Sequence, residues 1–394
     1  MSIEVTPIGV TCNLSCTYCY EHPVRDAGNH GVFDYDVNKM IEGLKKEGGE
    51  FSIFGGEPLL VDIDTLEKLW DFGYKTYGKN GIQSNGVLIT DKHIELFKKY
   101  KVHVGISMDG PDELNDARWA GSLEKTRLAT KKSLENIEKC VQNGVSVSLI
   151  ITLHKLNATP EKLPKLKAWI KDYDDRKIIQ GARLHTLQVD YDEIDDKFSL
   201  TPEENVRVML EMAEFEKTLK YIKFDLFNDI KNILIGNENV TCTFHSCDYY
   251  STDAVRGVNG QGERVNCNRT NKDGFEQIKA EQHGYERQLA LYNTPKEYGG
   301  CKDCRFFIFC KGQCPGTGIK YDWRNKTNLC QMYYNLFEYF ENDYLEKGVL
   351  PLSKSILLKK LEEEMYKIWA SGRQAFIQDA QKNVLVQIKT KISS

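Results

Sequence analysis

Cys12-Asn13-Leu14-Ser15-Cys16-Thr17-Tyr18-Cys19 stands directly behind the apolar run Ile3–Val10, and its reading decides the fold. Three thiols within eight residues reach one small metal object. A structural zinc site closes with four ligands, and no fourth cysteine lies nearby. A [4Fe–4S] cube held by three thiolates leaves one iron open to an outside ligand. A zinc knuckle that borrows a distant fourth ligand is the competing reading.

The chain has twelve cysteines, and nine more fall outside this triplet. Cys301, Cys304, Cys310 and Cys314 form C-x2-C-x5-C-x3-C; Cys242, Cys247, Cys267 and Cys330 flank them; Cys140 is left over. Such cysteine density in a chain without a secretion signal points to metal rather than to disulfides. The start, MSIEVTPIGVTCNL, has no basic segment followed by an apolar one, and no stretch approaches a membrane span, so a cytoplasmic protein is expected. At 394 residues the chain exceeds one hydrophobic core. A net charge of −4, with Lys and Arg interspersed among Asp and Glu, gives no footing for nucleic acid.

Apolar runs alternate with helical periodicity as far as residue 190 or so. Strands are predicted at Ile3–Val10, Glu50–Phe54, Gly81–Ser84, Val102–Ser107, Val145–Thr152 and Ala182–Val189. Helices are predicted at Tyr35–Glu47, Ile63–Lys79, Asp91–Tyr100, Leu123–Asn143 and Pro160–Tyr173. Six strands separated by helices make a parallel array, too short for eight units, so the fold class is α/β, a partial (β/α)6 barrel. Thr201-Pro202-Glu203-Glu204 opens a further helix. From about 237 cysteine, glycine and aromatics rise and periodicity fades, as where metals replace a core. The division expected is 1–200 barrel, 201–236 helical linker, 237–335 cysteine-rich domain and 336–394 helices, with Tyr333, Phe337, Phe340 and Tyr344 on one helical face.

Loops at the carboxyl ends of parallel strands face one ligand site. The cysteine triplet follows the first strand, Gly55-Gly56-Glu57-Pro58 the second, Ser84-Asn85-Gly86 the third and Ser107-Met108-Asp109-Gly110 the fourth. In this combination the chain resembles the radical S-adenosylmethionine (SAM) enzymes, whose signature is C-x3-C-x-aromatic-C, with Tyr18 in the aromatic place. The resemblance implies that Cys12, Cys16 and Cys19 hold a catalytic cluster whose open iron chelates SAM. It implies that Gly55, Gly56 and Glu57 hold the SAM ammonium, that Ser84 and Asn85 lie near the ribose, and Ser107 near the ribose or methionyl carboxylate. Arg118 or Arg127 would pair with that carboxylate.

The later cysteines resemble the SPASM extension of the same enzymes, with Cys247, Gly262 and Cys267 matching its upstream part. The resemblance implies two auxiliary [4Fe–4S] clusters, one on Cys242, Cys247, Cys267 and Cys314, the other on Cys301, Cys304, Cys310 and Cys330. Cys242 is the ligand whose position the family pattern does not fix, and zinc ribbons are the bland alternative. Three [4Fe–4S] clusters and SAM are therefore the expected cofactors. Cys140, on an apolar helical stripe, reads as an inert buried thiol. His154, His185, His245 and His283 read as core or surface residues. Asp190 and Asp109 are the candidate proton acceptors.

By resemblance the function is a maturase of a ribosomally made precursor peptide, forming a crosslink, an epimer or a backbone excision. Such maturases often carry an N-terminal winged-helix module that grips the leader. With Cys12 already a ligand, a separate leader-binding protein or direct docking of the substrate is expected, along with an external electron donor. The alternative is an anaerobic sulfatase-maturating enzyme, which oxidises Cys or Ser to formylglycine. A non-catalytic electron relay is the alternative of another class, disfavoured because a relay needs no SAM pocket.

Overall fold

The computed structural model describes residues 3–22, 34–187, 197–248, 254–270 and 284–393, together with Gly28 and Thr252. Two compact units result: residues 1–204, 212–225 and 255–278 in the first, and 205–211, 226–254 and 279–394 in the second.

The first unit is built on one open sheet. Its strands are β1 (Ile3–Thr6), β2 (Phe51–Ile53), β3 (Asn80–Ser84), β4 (Val102–Ser107), β5 (Val147–Leu153), β6 (Gly181–Thr186), β7 (Lys223–Phe224), β8 (Arg256–Asn259) and β9 (Arg264–Val265). The spatial order is β7-β6-β5-β4-β3-β2-β1-β8-β9. Every pairing is parallel except β8 with β9. The helices between the strands are α1 (Val37–Glu47), α2 (Ile63–Tyr77), α3 (Asp91–Lys99), α4 (Leu123–Gln142) and α5 (Leu163–Asp175). This is the expected partial barrel.

Local chemistry sets the boundaries. Asp36 caps α1 by accepting from the Asn38 and Lys39 amides, and Gly48 ends it in the left-handed region. Asp62 and Gly78 do the same for α2. Thr201 and Glu204 form a capping box, with Pro202 at the first turn, to start α6 (Pro202–Glu216). The first strand is shorter than its apolar run, because Pro7 cannot donate to a ladder and the chain turns through Gly9 at φ 54°.

The register sorts side chains by face. Val5, Ile53, Ile82, Val104 and Val147 align across five strands and are buried. Each such side chain contributes about 1.5–3 kcal/mol. Glu4, Ser52, Gln83, Ser148 and His185 lie on the opposite, more polar face. All the parallel strands end on the same side, and the loops of interest leave from there.

Three strands escaped the sequence reading. β7 and β9 have two residues each, and β8 has four, RGVN, inside the cysteine-rich region. β8 joins β1 on the edge opposite β2. The described residues 255–270 therefore belong with the first unit, although the sequence grouped them within 237–335.

The second unit contains α7 (Asp225–Leu234), α8 (Glu286–Asn293), α9 (Phe307–Cys310), α10 (Cys330–Glu346), α11 (Leu358–Ala370) and α12 (Ile377–Ser393). The expectation that metals replace a core here is corrected. Phe306 stacks on Phe337 at 5.1 Å, Phe307 meets Trp369 at 5.7 Å, and Phe340 meets Phe227 at 5.5 Å. These rings are buried, and they join the C-terminal helices to the cysteine-bearing segment as one body.

Candidate functional site

The loop carrying Cys12, Cys16 and Cys19 is tied down on two sides. On one side the Ser15 and Thr17 amides donate to the carbonyls of Trp119 and Ala117, at 2.7 and 2.8 Å. On the other, the Gly56 amide donates to Gly9 O at 2.9 Å and the Glu57 amide to Thr11 O at 2.8 Å. That second seam explains the glycine pair. A Cβ on Gly56 would stand 2.2 Å from Thr11 O, and one on Gly55, whose φ is 122°, 2.6 Å from Gly9 O. The glycines let the second-strand loop lie directly on the cysteine loop.

Glu57 is 0 % exposed. Its carboxylate accepts from Ser84 Oγ at 2.8 Å, from the Asn85 amide at 2.7 Å and from the Leu59 amide at 3.1 Å. Burial pushes this carboxyl up, against the pull of those three donors. Glu57 thus couples the second and third strand loops inside the protein. Asn85 reaches the cysteine loop in turn, its Nδ2 donating to Asn13 Oδ1 at 2.7 Å. From behind, α4 fixes this turn: Ser133 Oγ donates to Asn85 O and Asn136 Nδ2 to Gly86 O, at 2.7 and 2.8 Å. Ser107, at the end of β4, accepts from Gln83 Nε2 at 3.4 Å.

Tyr18 points into a buried network. Its hydroxyl donates to Asp109 Oδ2 and accepts from Arg118 Nη1 at 2.9 Å. Asp109 also accepts from the Thr152 amide at 2.9 Å, and His154 Nε2 lies 3.4 Å from it. Burial would raise the Asp109 carboxyl, but His154, Arg118 and Tyr18 hold it below its ordinary value. With both oxygens occupied and no exposed surface, Asp109 is a strut rather than a proton acceptor. Asp190, the other candidate, His283 and the end of the strand expected to reach Val189 lie outside the described residues.

The choice between the two arginines follows from position. Arg118 bears electrostatically on Cys12, Cys16 and Asp109. Arg127 is committed to Asp116, its Nη2 donating to Oδ2 at 2.7 Å in a partly exposed pair. Arg118 is the residue that faces the cysteines. His154 proves to be a working part of the buried network. Its signal was hard to see, because only the fold brings it 45 residues back to Asp109.

In the second unit Cys301, Cys304, Cys310 and Cys330 come within electrostatic reach of one another. Burial, then Cys304 and Cys330, push the Cys301 thiol up to about 12, and Cys310 also rises strongly. Such thiols keep their protons until a metal displaces them. Cys330 is the first residue of α10, where the helix end favours negative charge. Cys242, Cys247 and Cys314 also lie in this unit, whereas Cys267 belongs to the first, where it and Cys19 both bear on the Tyr20 phenol.

The cysteine loops are conformationally unusual. Ser246, Asp303, Lys311 and Gln313 all have φ between 54° and 58°, and each stands beside Cys247, Cys304, Cys310 or Cys314. Left-handed backbone at non-glycine residues costs energy and gathers where surroundings over-determine it. Thiol donors on such tight loops suit a soft, multi-iron ligand. Among the described residues no three metal-ligating groups converge on a point fit for one ion. A cube, which spreads its thiolates over its corners, requires no such convergence. Cys140 is buried and raised to about 11, as an inert thiol would be.

Residues 6–170 match the model of the radical SAM superfamily. Over 374 residues the chain is 26 % identical to a cysteine-type anaerobic sulfatase-maturating enzyme of Clostridium perfringens, covering 86 % of this chain and 96 % of that protein. A serine-type anaerobic sulfatase-maturating enzyme of Bacteroides thetaiotaomicron is 21 % identical over 415 residues, covering 93 % and 96 %. The solved structure of native anSMEcpe with bound AdoMet and Cp18Cys peptide superposes with a TM-score of 0.59 at 20 % identity, over 88 % of this chain and 98 % of that one. At that identity the likeness speaks for the fold.

Proposed function

We propose that this chain, a radical SAM enzyme, oxidises a cysteine or serine side chain of a protein or peptide substrate, as an anaerobic sulfatase-maturating enzyme does. The observation that carries this is the near end-to-end similarity to such maturases, which extends beyond the barrel into the cysteine-rich unit. It supports the sulfatase-type alternative above maturation of a precursor peptide.

When bound, a [4Fe–4S] cluster and SAM supply an electron and a 5′-deoxyadenosyl radical able to take hydrogen from an unactivated C–H bond. The chain's own residues do the rest. Cys12, Cys16 and Cys19 would hold that cluster, leaving one iron open. The loop clamp from Ala117 to Trp119 keeps their spacing and delivers Arg118 beside them, where a guanidinium suits a carboxylate. The Gly55-Gly56 seam and the Glu57 brace hold the second and third strand loops at the same edge. In the second unit Cys301, Cys304, Cys310 and Cys330 would carry one auxiliary cluster, and Cys242, Cys247 and Cys314 would contribute to another. Converting a CH–XH group to an aldehyde precursor removes one hydrogen atom, one proton and one electron, so one-electron carriers fit the stoichiometry.

The test is anaerobic incubation of the reconstituted protein with SAM, a reductant and peptides carrying a sulfatase-type Cys or Ser. Aldehyde detected by mass spectrometry, in step with 5′-deoxyadenosine, is the expected result. Replacing Cys12, Cys16 and Cys19 together by Ala should abolish both products. A crosslinked or epimerised product, or deoxyadenosine without aldehyde on either peptide, would overturn the sulfatase-type reading.

A further inference from the structure

Arg287 is a deeply buried cation whose purpose the site described above does not explain. It sits on the first turn of α8 and is 1 % exposed. Its Nε donates to Trp323 O at 2.7 Å and its Nη1 to Cys247 O at 3.1 Å. Its Nη2 donates to Asn325 O at 3.0 Å and Gly312 O at 3.3 Å. One side chain therefore ties together the Cys247 loop, the Cys310–Cys314 loop and the turn that leads into Cys330. The planar fork of five N–H donors is suited to this, and a lysine is not.

Hydrogen bonding alone does not call for the charge. A guanidinium removed from water is unfavourable unless negative charge faces it, and burial does push this group down. The groups that oppose the shift are, in order, Cys247, Cys314, Cys301 and then Asp248. Cys247 and Cys314 belong by resemblance to one auxiliary cluster and Cys301 to the other. Ligating thiolates are deprotonated, and a thiolate-held cluster is a net anion that becomes more negative on reduction.

We propose that Arg287 positions these loops and raises the reduction potentials of the auxiliary clusters, most strongly that of the Cys247/Cys314 cluster. This rests on the reading that the second unit's cysteines carry clusters. A fixed cation stabilises the reduced, more negative state, and charge near a cluster is one of the levers that set its potential.

The experiment compares anaerobically reconstituted full-length wild type, Arg287→Gln and Arg287→Lys by iron analysis and by redox titration followed by electron paramagnetic resonance. Both variants lose the fork, but only Gln loses the charge. The expected result is a lower potential in Arg287→Gln. A tenfold change in the reduction equilibrium corresponds to about 59 mV for one electron. Arg287→Lys should stay near wild type. If Gln fails to load iron and Lys loads it, the charge is again supported. Equal potentials in the two variants overturn the proposal, as does failure of both to load, which would leave Arg287 a strut alone. Auxiliary iron absent from the wild type would instead sink the cluster reading beneath it.

Discussion

Replacing Gly56 by alanine drives a methyl group against backbone that has nowhere to go. The new Cβ would stand 2.2 Å from Thr11 O and 2.5 Å from Val10 O. Neither is the end of a flexible side chain, so the seam itself must open. Opening it endangers the bonds from the Gly56 amide to Gly9 O and from the Glu57 amide to Thr11 O, 2.9 and 2.8 Å long. At about 0.5–1.5 kcal/mol for each bond and about 1–3 kcal/mol for overpacking, the loss is about 2–6 kcal/mol. For a unit of this size that lowers the melting temperature by roughly 5–20 °C. Gly78→Ala is the control: its φ is 76° with nothing within 4 Å of the added carbon. Only the left-handed conformation is penalised there, by about 1–2 kcal/mol. Thermal unfolding followed by circular dichroism measures both, with iron content determined on the same preparations. Because the strained loop carries Cys12, Gly56→Ala should also bind less iron at the first site. If Gly56→Ala melts within two or so degrees of Gly78→Ala and keeps its iron, the glycines do not serve the seam.

The pH dependence of the Asp109 network has a definite sign. A carboxyl held below its unfolded value of 3.8 contributes stability above that pH, and the contribution is lost as pH falls through the folded value. Acidifying the metal-free protein below about pH 4 should therefore lower the wild-type melting temperature more steeply than that of Asp109→Asn. The variant should already be about 1–3 kcal/mol less stable at neutral pH, and parallel slopes would refute the assignment. On the ligand side, calorimetric titration with SAM should show about a ten- to hundredfold weaker affinity for Arg118→Gln, the loss of one charge-assisted contact. Arg127→Gln should bind SAM like wild type and lose no more than about 1 kcal/mol of stability, since its pair with Asp116 is partly exposed. The opposite ranking would return Arg127 to the site.

The six strands and five helices of the barrel were legible because each carries its own apolar period; caps mark several helix starts but not that of α5, where Lys162 makes no side-chain cap bond. Asp36, Asp62, Ser122 and Thr201 all accept from the first turns they precede. The loops at the strand ends were legible as a set, because parallel order forces them to one edge. What those residues touch was not. The resemblance implies an ammonium partner for Glu57, but nothing in the sequence marks its bonds to Ser84 and Asn85, residues nearly 30 positions away. The Ala117–Trp119 clamp leaves no mark in the sequence, since its contacts are carbonyl groups that any residue supplies. Strand β8 was hidden by brevity, and the aromatic core of the second unit by the cysteines interleaved with Phe306, Phe307 and Phe309.

The pairing of β1 with β8 carries a consequence for biosynthesis. Ile3 is bonded alongside Arg256, and Thr6 alongside Asn259. On the ribosome, β1 can meet β2 after some fifty residues have emerged, but its other edge must wait for two hundred more. Through that interval the strand leading into Cys12 presents an open ladder, the kind of edge that recruits other chains. A nascent chain halted before β8 should therefore be aggregation-prone, and iron delivered too early would meet a cysteine loop whose supporting strand is only half paired.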